Sequence, residues 1–213
     1  MPDVRVRPLT VEALVEELAS HMLSREAGSF LRVAIDGPAA GDPGGLADAL
    51  VAPLRLGGRP AVRIDTADFL RPASLRLERG RTNPDSFYAG WFDESALIRE
   101  VLGPAGPGGT GKILTRFWNA EIDRAAREPY HQLPPGAVVL VSGPLLLGSG
   151  LDFDLAVHLE LSRAALRRRT PPDQAWTLPA LDRYAEEVNP ALFADVVVRL
   201  DDPKRPALVV SRE

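Results

Sequence analysis

The run Leu31-Arg-Val-Ala-Ile-Asp36, followed at once by Gly37-Pro-Ala-Ala-Gly-Asp-Pro-Gly-Gly45 and Leu46-Ala-Asp-Ala-Leu50, constrains this chain more than any other feature. A short, mostly apolar run bounded by glycines reads as a central strand covered on both faces, and the residues after the turn read as a helix. Strand, glycine-rich turn and helix in that order form a phosphate-binding frame, in which N–H groups at the helix N-terminus cradle an anion. The full pattern, G-x-x-x-x-G-K-[ST], adds a lysine that neutralises phosphate and a hydroxyl that holds Mg²⁺. Counted from Gly37, the lysine position holds Pro43, the hydroxyl position holds Gly44, and the preceding glycine is Asp42. Pro has no N–H, Gly has no hydroxyl, and Asp42 brings negative charge to a site built for an anion. Gly37, Gly41, Gly44 and Gly45 remain as candidate nucleotide-binding positions, with a left-handed backbone at Gly44 as the anticipated obstacle to substitution there.

At 213 residues, one core and one domain spanning 1–213 are expected, with a helix within 1–28 packed on it. With 45% hydrophobic and 25% charged residues, disorder and fibrous classes are disfavoured. A net charge of −4 gives no basic field to attract nucleic acid or lipid, so neither is an expected partner. With no cysteine there can be no disulfide, thiolate metal site or cysteine nucleophile, which suits a cytoplasmic protein. No leader or membrane-spanning run is read from the sequence. The histidines, His21, His131 and His158, show no ligand spacing, so no metal site made by protein alone is expected.

Thr10 is placed to cap a helix whose Val11, Leu14, Val15, Leu18 and Met22 share one face, with Gly28 as its stop. A short helix beginning near Gly44 or Gly45 runs through Leu46 to Ala52 and stops at Pro53. Strands are expected at Ala61 to Asp65, Val138 to Val141, Leu155 to Leu161, Asp195 to Leu200 and Ala207 to Val210. Helices are expected from Asp93 through Val101, after Ser162, and from a Thr177 cap through Val188. Alternation of this kind gives an α/β fold with a mostly parallel sheet between helical layers. Gly106-Pro-Gly-Gly-Thr-Gly-Lys112 imitates the phosphate loop, but Ile113 follows it and Leu97 to Leu102 before it reads as helix, so it lacks the required context.

Seven marks then fall in order: Val33-Ala-Ile-Asp-Gly37, Asp68-Phe-Leu-Arg-Pro72, Arg79-Gly-Arg81, Phe87-Tyr88 with Phe92-Asp93, Gly106-Pro-Gly-Gly109, Val138 to Gly143, and Ala194-Asp-Val-Val-Val198. In these the chain resembles the uridine kinase-like P-loop nucleoside kinases of the type common in high-GC bacteria, over about Phe30 to Leu208. The resemblance implies a three-layer P-loop NTPase fold, a nucleoside-like acceptor, and ATP with Mg²⁺ as cofactors if the activity survives. It assigns Asp68 the role of base, with Ala67 replacing the first carboxylate of an Asp-Asp-Phe motif. It places neutral Ser142 where the family carries an acid that helps position Mg²⁺ and water. By the same resemblance, Arg71, Arg79, Arg81 and Tyr88, with Phe87 and Trp91, fall in the loop that in the family covers the acceptor. Arg167 to Arg169 correspond to a cationic lid, shortened here by Thr170-Pro-Pro-Asp173. The same residues also read as a solvated loop carboxylate at Asp68, solvated arginines over tucked aromatics, and an arginine run that suits a helix C-terminus. The functional expectation is therefore a kinase-like protein with a degenerate ATP site, or a non-catalytic binding or interaction module on the same fold. A homo-oligomer is left open.

Overall fold

The computed structural model describes residues 5–26 and 30–210. In chain order the strands are β1 (Arg5–Pro8), β2 (Leu31–Asp36), β3 (Ala61–Asp65), β4 (Lys112–Ile113), β5 (Trp118–Asn119), β6 (Arg124–Ala125), β7 (His131–Gln132), β8 (Val138–Gly143), β9 (Leu155–Glu160), β10 (Val196–Arg199) and β11 (Ala207–Val210). The helices are α1 (Val11–Leu23), α2 (Pro43–Leu56), α3 (Ala73–Arg76), α4 (Pro84–Gly90), α5 (Glu94–Leu97), α6 (Arg163–Arg169) and α7 (Leu178–Glu187). The main sheet has the order β1-β11-β10-β9-β2-β8-β3. Strands β10, β9, β2, β8 and β3 run parallel, and β11 and β1 close one edge antiparallel. Two small ribbons, β4 with β7 and β5 with β6, lie outside it.

Strand β2 is buried at all six residues, between β8 and β9, which is the interior parallel placement its apolar run demands. Its alternation distributes the core: Leu31, Val33 and Ile35 join α1 and α2 on one face, and Ala34 joins Phe69, Leu97 and Val101 on the other. The chain leaves β2 for β3 on one side and passes from β8 to β9 on the other. That switch at the carboxyl end of β2 is where open α/β sheets bind ligands.

Helix α1 starts as expected, with Thr10 Oγ1 accepting from Ala13 N at 3.2 Å, and buries Leu14, Val15, Leu18, Ala19 and Met22. Its expected stop at Gly28 lies outside the described residues; the helix ends at Leu23 with Ser24 as its cap. Strand β1 was not expected. Helix α2 corrects two expectations: it starts at Pro43 and runs through Pro53 to Leu56. Pro is favourable at the first helical position because the missing N–H has no partner there anyway. Pro53 is tolerated because Leu50 and Leu54 are fully buried and the carbonyls of Pro53, Leu54 and Arg55 accept from Gly57, Arg59 and Gly58 at 2.9, 2.9 and 3.0 Å. Burial outweighs the local preference. Thr177 does not cap α7: it is itself helical, and its hydroxyl donates to the Gln174 carbonyl at 2.8 Å. Strand β8 extends beyond Val141 to include Ser142 and Gly143, paired with Ile35 and Asp36 of β2. Among the described residues, no helix is long and apolar enough to cross a membrane.

Leu54→Ala tests the passage through Pro53. The buried side chain should cost about 2–5 kcal/mol in urea unfolding. A helix that stopped at Pro53 would leave Leu54 outside the core, and the loss would fall below about 0.5 kcal/mol.

Candidate functional site

The site forms where β2 hands over to α2. Gly37 follows β2 in close contact with β9; a Cβ there would lie 2.8 Å from the Leu159 Cβ. A 3₁₀ turn, Ala39–Gly41, leads to Asp42, whose backbone is left-handed at φ 55° and ψ 54°. Gly44 is ordinary helix, so the anticipated obstacle belongs to Asp42 instead. Asp is among the few residues that adopt this conformation readily. Asp42 Oδ1 accepts the Gly45 N–H at 2.9 Å, and a Cβ on Gly45 would stand 2.2 Å from Asp42 Oδ2. The carboxylate is therefore folded over the first turn of α2, in the position an anion would take at a helix N-terminus.

A cation is present beside this turn, supplied by the neighbouring strand rather than by the loop. Arg63 of β3 pairs with Asp65, donates from Nη1 to Asp48 Oδ2 at 3.2 Å, and donates from Nε to Ser142 Oγ at 3.3 Å. Its Nη2 lies so close to Gly44 that a Cβ there would be 2.6 Å away. Asp65 Oδ1 also accepts from Ala67 N at 2.9 Å, and buried Ser142 donates to the Ile64 carbonyl at 3.4 Å. Asp48, Arg63, Asp65 and Ser142 thus form a network that satisfies itself. The sequence signal for it was a charged residue inside a short apolar strand, Ala61-Val-Arg-Ile.

Above this floor lies a cavity of about 650 Å³. One wall is aromatic: Phe87 sits 5.9 Å from Trp91, 5.6 Å from Trp176 and 5.8 Å from Phe92, and the two tryptophans are 5.2 Å apart, centroid to centroid. Buried Arg76 covers one face of Trp91 at 5.0 Å and donates to the Arg71 carbonyl at 2.6 Å. Trp176 belongs to the 3₁₀ segment Pro172–Thr177, which begins on the second of the two prolines after Thr170. Aromatic wall and polar floor suit a planar molecule with hydrogen-bonding edges.

Of the expected site residues, the cavity brings together Gly44 and Gly45 with Phe87, Trp91 and Ser142. Gly37 and Gly41 instead pack toward β9 and its following Leu161. Ala67, not Asp68, lines the cavity. Asp68 forms an ion pair with Arg116 at 2.9 Å, and burial pushes its carboxyl above the usual range although Arg116 opposes this. Arg167 is exposed and lies 3.7 Å from Asp182, and Arg169 donates to the Leu200 carbonyl, so neither lines the cavity. Tyr88 donates to Glu187 Oε2 at 3.1 Å with Arg183 over its ring, and lines with Arg71 a separate hollow of about 350 Å³. Arg79 and Arg81 are exposed on the turn after α3. Sequence reasoning missed Asp48, Arg63, Asp65, Arg76 and Trp176. Lys112 of the imitation loop lies in β4, over the Tyr130 ring at 5.4 Å.

These residues do not fit Mg²⁺ or a nucleotide triphosphate. The hydroxyl position is Gly44, the acid position is a serine already bonded to Arg63 and Ile64, and the helix N–H of Gly45 is taken by Asp42. Among the described residues, no three His, Cys, Asp or Glu side chains are grouped to hold a metal ion.

A pH series tests the environment of Asp68. Its folded carboxyl titrates above the unfolded one, so ionisation costs more in the folded state. Relative to Asp68→Asn, the wild type should therefore lose stability as pH rises from about 3.5 to 6.5. Urea unfolding of both proteins at the two pH values checks the sign, and a relative gain for the wild type would contradict it.

No protein-family model matches the sequence, and no curated protein matches it. Solved structures do. The chain is similar to "a Possible Uridine Kinase from Bacillus stearothermophilus", with TM-score 0.72 and 20% identity over 88% of this chain and 98% of that one. It is also similar to a "putative fructose transport system kinase" from Silicibacter sp. TM1040, with TM-score 0.55 and 19% identity over 86% and 93% of the two chains. A third neighbour, the YGR205w protein, gives TM-score 0.58 and 11% identity over 96% and 100%. At these identities the likeness shows the fold: a three-layer α/β fold, with a mostly parallel sheet between helices, shared with these kinases.

Proposed function

We propose that this chain is a uridine kinase-like protein of the cytoplasm that binds a planar, nucleoside-like molecule in the aromatic-walled cavity and is impaired or inactive as an ATP-dependent phosphotransferase. The observation that carries this reading is the Asp42 carboxylate on the Gly45 N–H, an anion of the chain's own in the phosphate position. The fold likeness and the order of the seven motifs support the nucleoside-kinase frame. The ligand is held by stacking on Trp91, Trp176 and Phe87, with Arg63, Asp65 and Thr177 available to its polar edge. Neither nucleic acid nor membrane is a partner in this reading, since the net charge of −4 offers no basic field.

Energetics support the loss of nucleotide affinity. A hydrogen bond to a charged group contributes about 1.5–3 kcal/mol, and about 1.4 kcal/mol is a factor of ten in affinity. Loss of the lysine and of the metal hydroxyl therefore removes about two to four powers of ten, before repulsion from Asp42 is counted. Calorimetry should find no saturable Mg·ATP binding below about 1 mM; micromolar affinity would refute the reading. Asp42→Gly with Pro43→Lys, Gly44→Thr and Ser142→Asp should restore measurable Mg·ATP binding, because Gly44 is helical and the new threonine meets only the flexible end of Arg63. The ligand half has its own test. Uridine should quench tryptophan fluorescence in the wild type but much less in Trp176→Ala, and no response to a nucleoside panel would overturn it.

A further inference from the structure

A second hollow, of about 180 Å³, lies next to the aromatic cavity, across Pro144 and Leu181, between the start of the glycine-rich loop, β9 and α7. Beside it is the most deeply buried polar group of the sheet. Asp36 ends β2 at 0% exposure, and three donors satisfy it: the Leu146 N–H on Oδ1 at 2.9 Å, His158 Nδ1 on Oδ2 at 2.6 Å, and the Tyr184 hydroxyl on Oδ2 at 3.3 Å. Tyr184 accepts in turn from Leu147 N at 2.9 Å, and burial raises its hydroxyl pKa so that it remains a donor. A buried carboxylate needs such partners. In the neutral imidazole, Asp36, which only accepts, holds the His158 proton on Nδ1 and leaves the lone pair on Nε2.

His158 is 92% buried by its 8% exposure, yet it lines the hollow while enclosed Asp36 does not. Among the described residues Nε2 makes no hydrogen bond. Satisfying Asp36 uses one ring nitrogen; in the neutral ring the other is an oriented acceptor, without a partner among the described residues. The rest of the wall is largely apolar, with Pro38, Pro144, Leu166 and Pro190, and Glu160 on it is already paired with Arg199 at 2.9 Å. A cavity of about 150 Å³ is known to hold benzene.

We propose that this hollow is a second ligand site, in which His158 Nε2, fixed by Asp36, accepts a hydrogen bond from a compact neutral alcohol of about six to eight heavy atoms with an apolar body. The apolar walls take the body of the ligand, and the oriented imidazole selects for a single hydroxyl donor over a hydrocarbon of the same size. The site adjoins the aromatic cavity, with Pro144 and Leu181 in both walls, but His158 lines this hollow and not that cavity.

Phenol is the probe, benzene the control without a donor, and the ¹⁵N resonance of His158 Nε2 the readout, which separates this hollow from the aromatic wall. Phenol should shift that resonance saturably, and benzene should bind at least about tenfold more weakly, the scale of one neutral hydrogen bond. Ala185→Phe, at an exposed helical position on the rim, should fold normally by circular dichroism and lose the response. A wild type whose Nε2 resonance does not respond to phenol overturns the proposal, as does an undiminished response in Ala185→Phe or equal binding of benzene.

Discussion

Burial of β2 on both faces is the constraint on which the other features rest. A strand with no exposed residue can discharge its polar end only through a tight turn at the sheet's carboxyl edge, and here it does so twice over. Asp36, the last residue of the strand, is enclosed and bound by three donors from three different segments. Six residues later Asp42 turns the chain left-handed and caps α2 with its own carboxylate. The first carboxylate ties β2 to β9 and α7; the second takes the Gly45 N–H at the N-terminus of α2.

The consequence is a familiar frame with altered electrostatics. Around the loop stand Asp42, Asp48 and Asp65 with Arg63 among them, so the chain supplies its own anions and its own cation. An incoming triphosphate would have to displace a cap and break an ion pair while finding neither lysine nor metal ligand. A neutral aromatic molecule pays none of these costs, because the adjoining wall of Phe87, Trp91 and Trp176 is already assembled.

The strand and turn were legible because an apolar run between glycines has few other readings, and the interior parallel placement of β2 followed from it. Pro53 misled because a rule about local hydrogen bonding was overridden by burial of Leu50 and Leu54. The left-handed position was assigned to Gly44 because glycine is the usual occupant, whereas Asp42 adopts it and uses its side chain as the cap. Arg63 could not be assigned from sequence, since its meaning depends on the pairing of β3 with β8 and so on Ser142, 79 residues away. Trp176 was equally hidden, on a short 3₁₀ segment without periodicity. Of the expected site residues, Gly44 and Gly45 border the cavity, while Gly37 and Gly41 pack toward β9. Asp68, Arg167 and Arg169 are engaged elsewhere, because their side chains found protein partners.

Amide NMR with tripolyphosphate as titrant, without metal or nucleoside, is the most direct test of the self-capped loop. If the Asp42 carboxylate holds the anion position, the Gly44 and Gly45 amide resonances should stay in place in the wild type at millimolar titrant and move saturably in Asp42→Gly. Saturable movement of both resonances in the wild type would mean that the helix N-terminus is open to phosphate, and that would contradict the central claim.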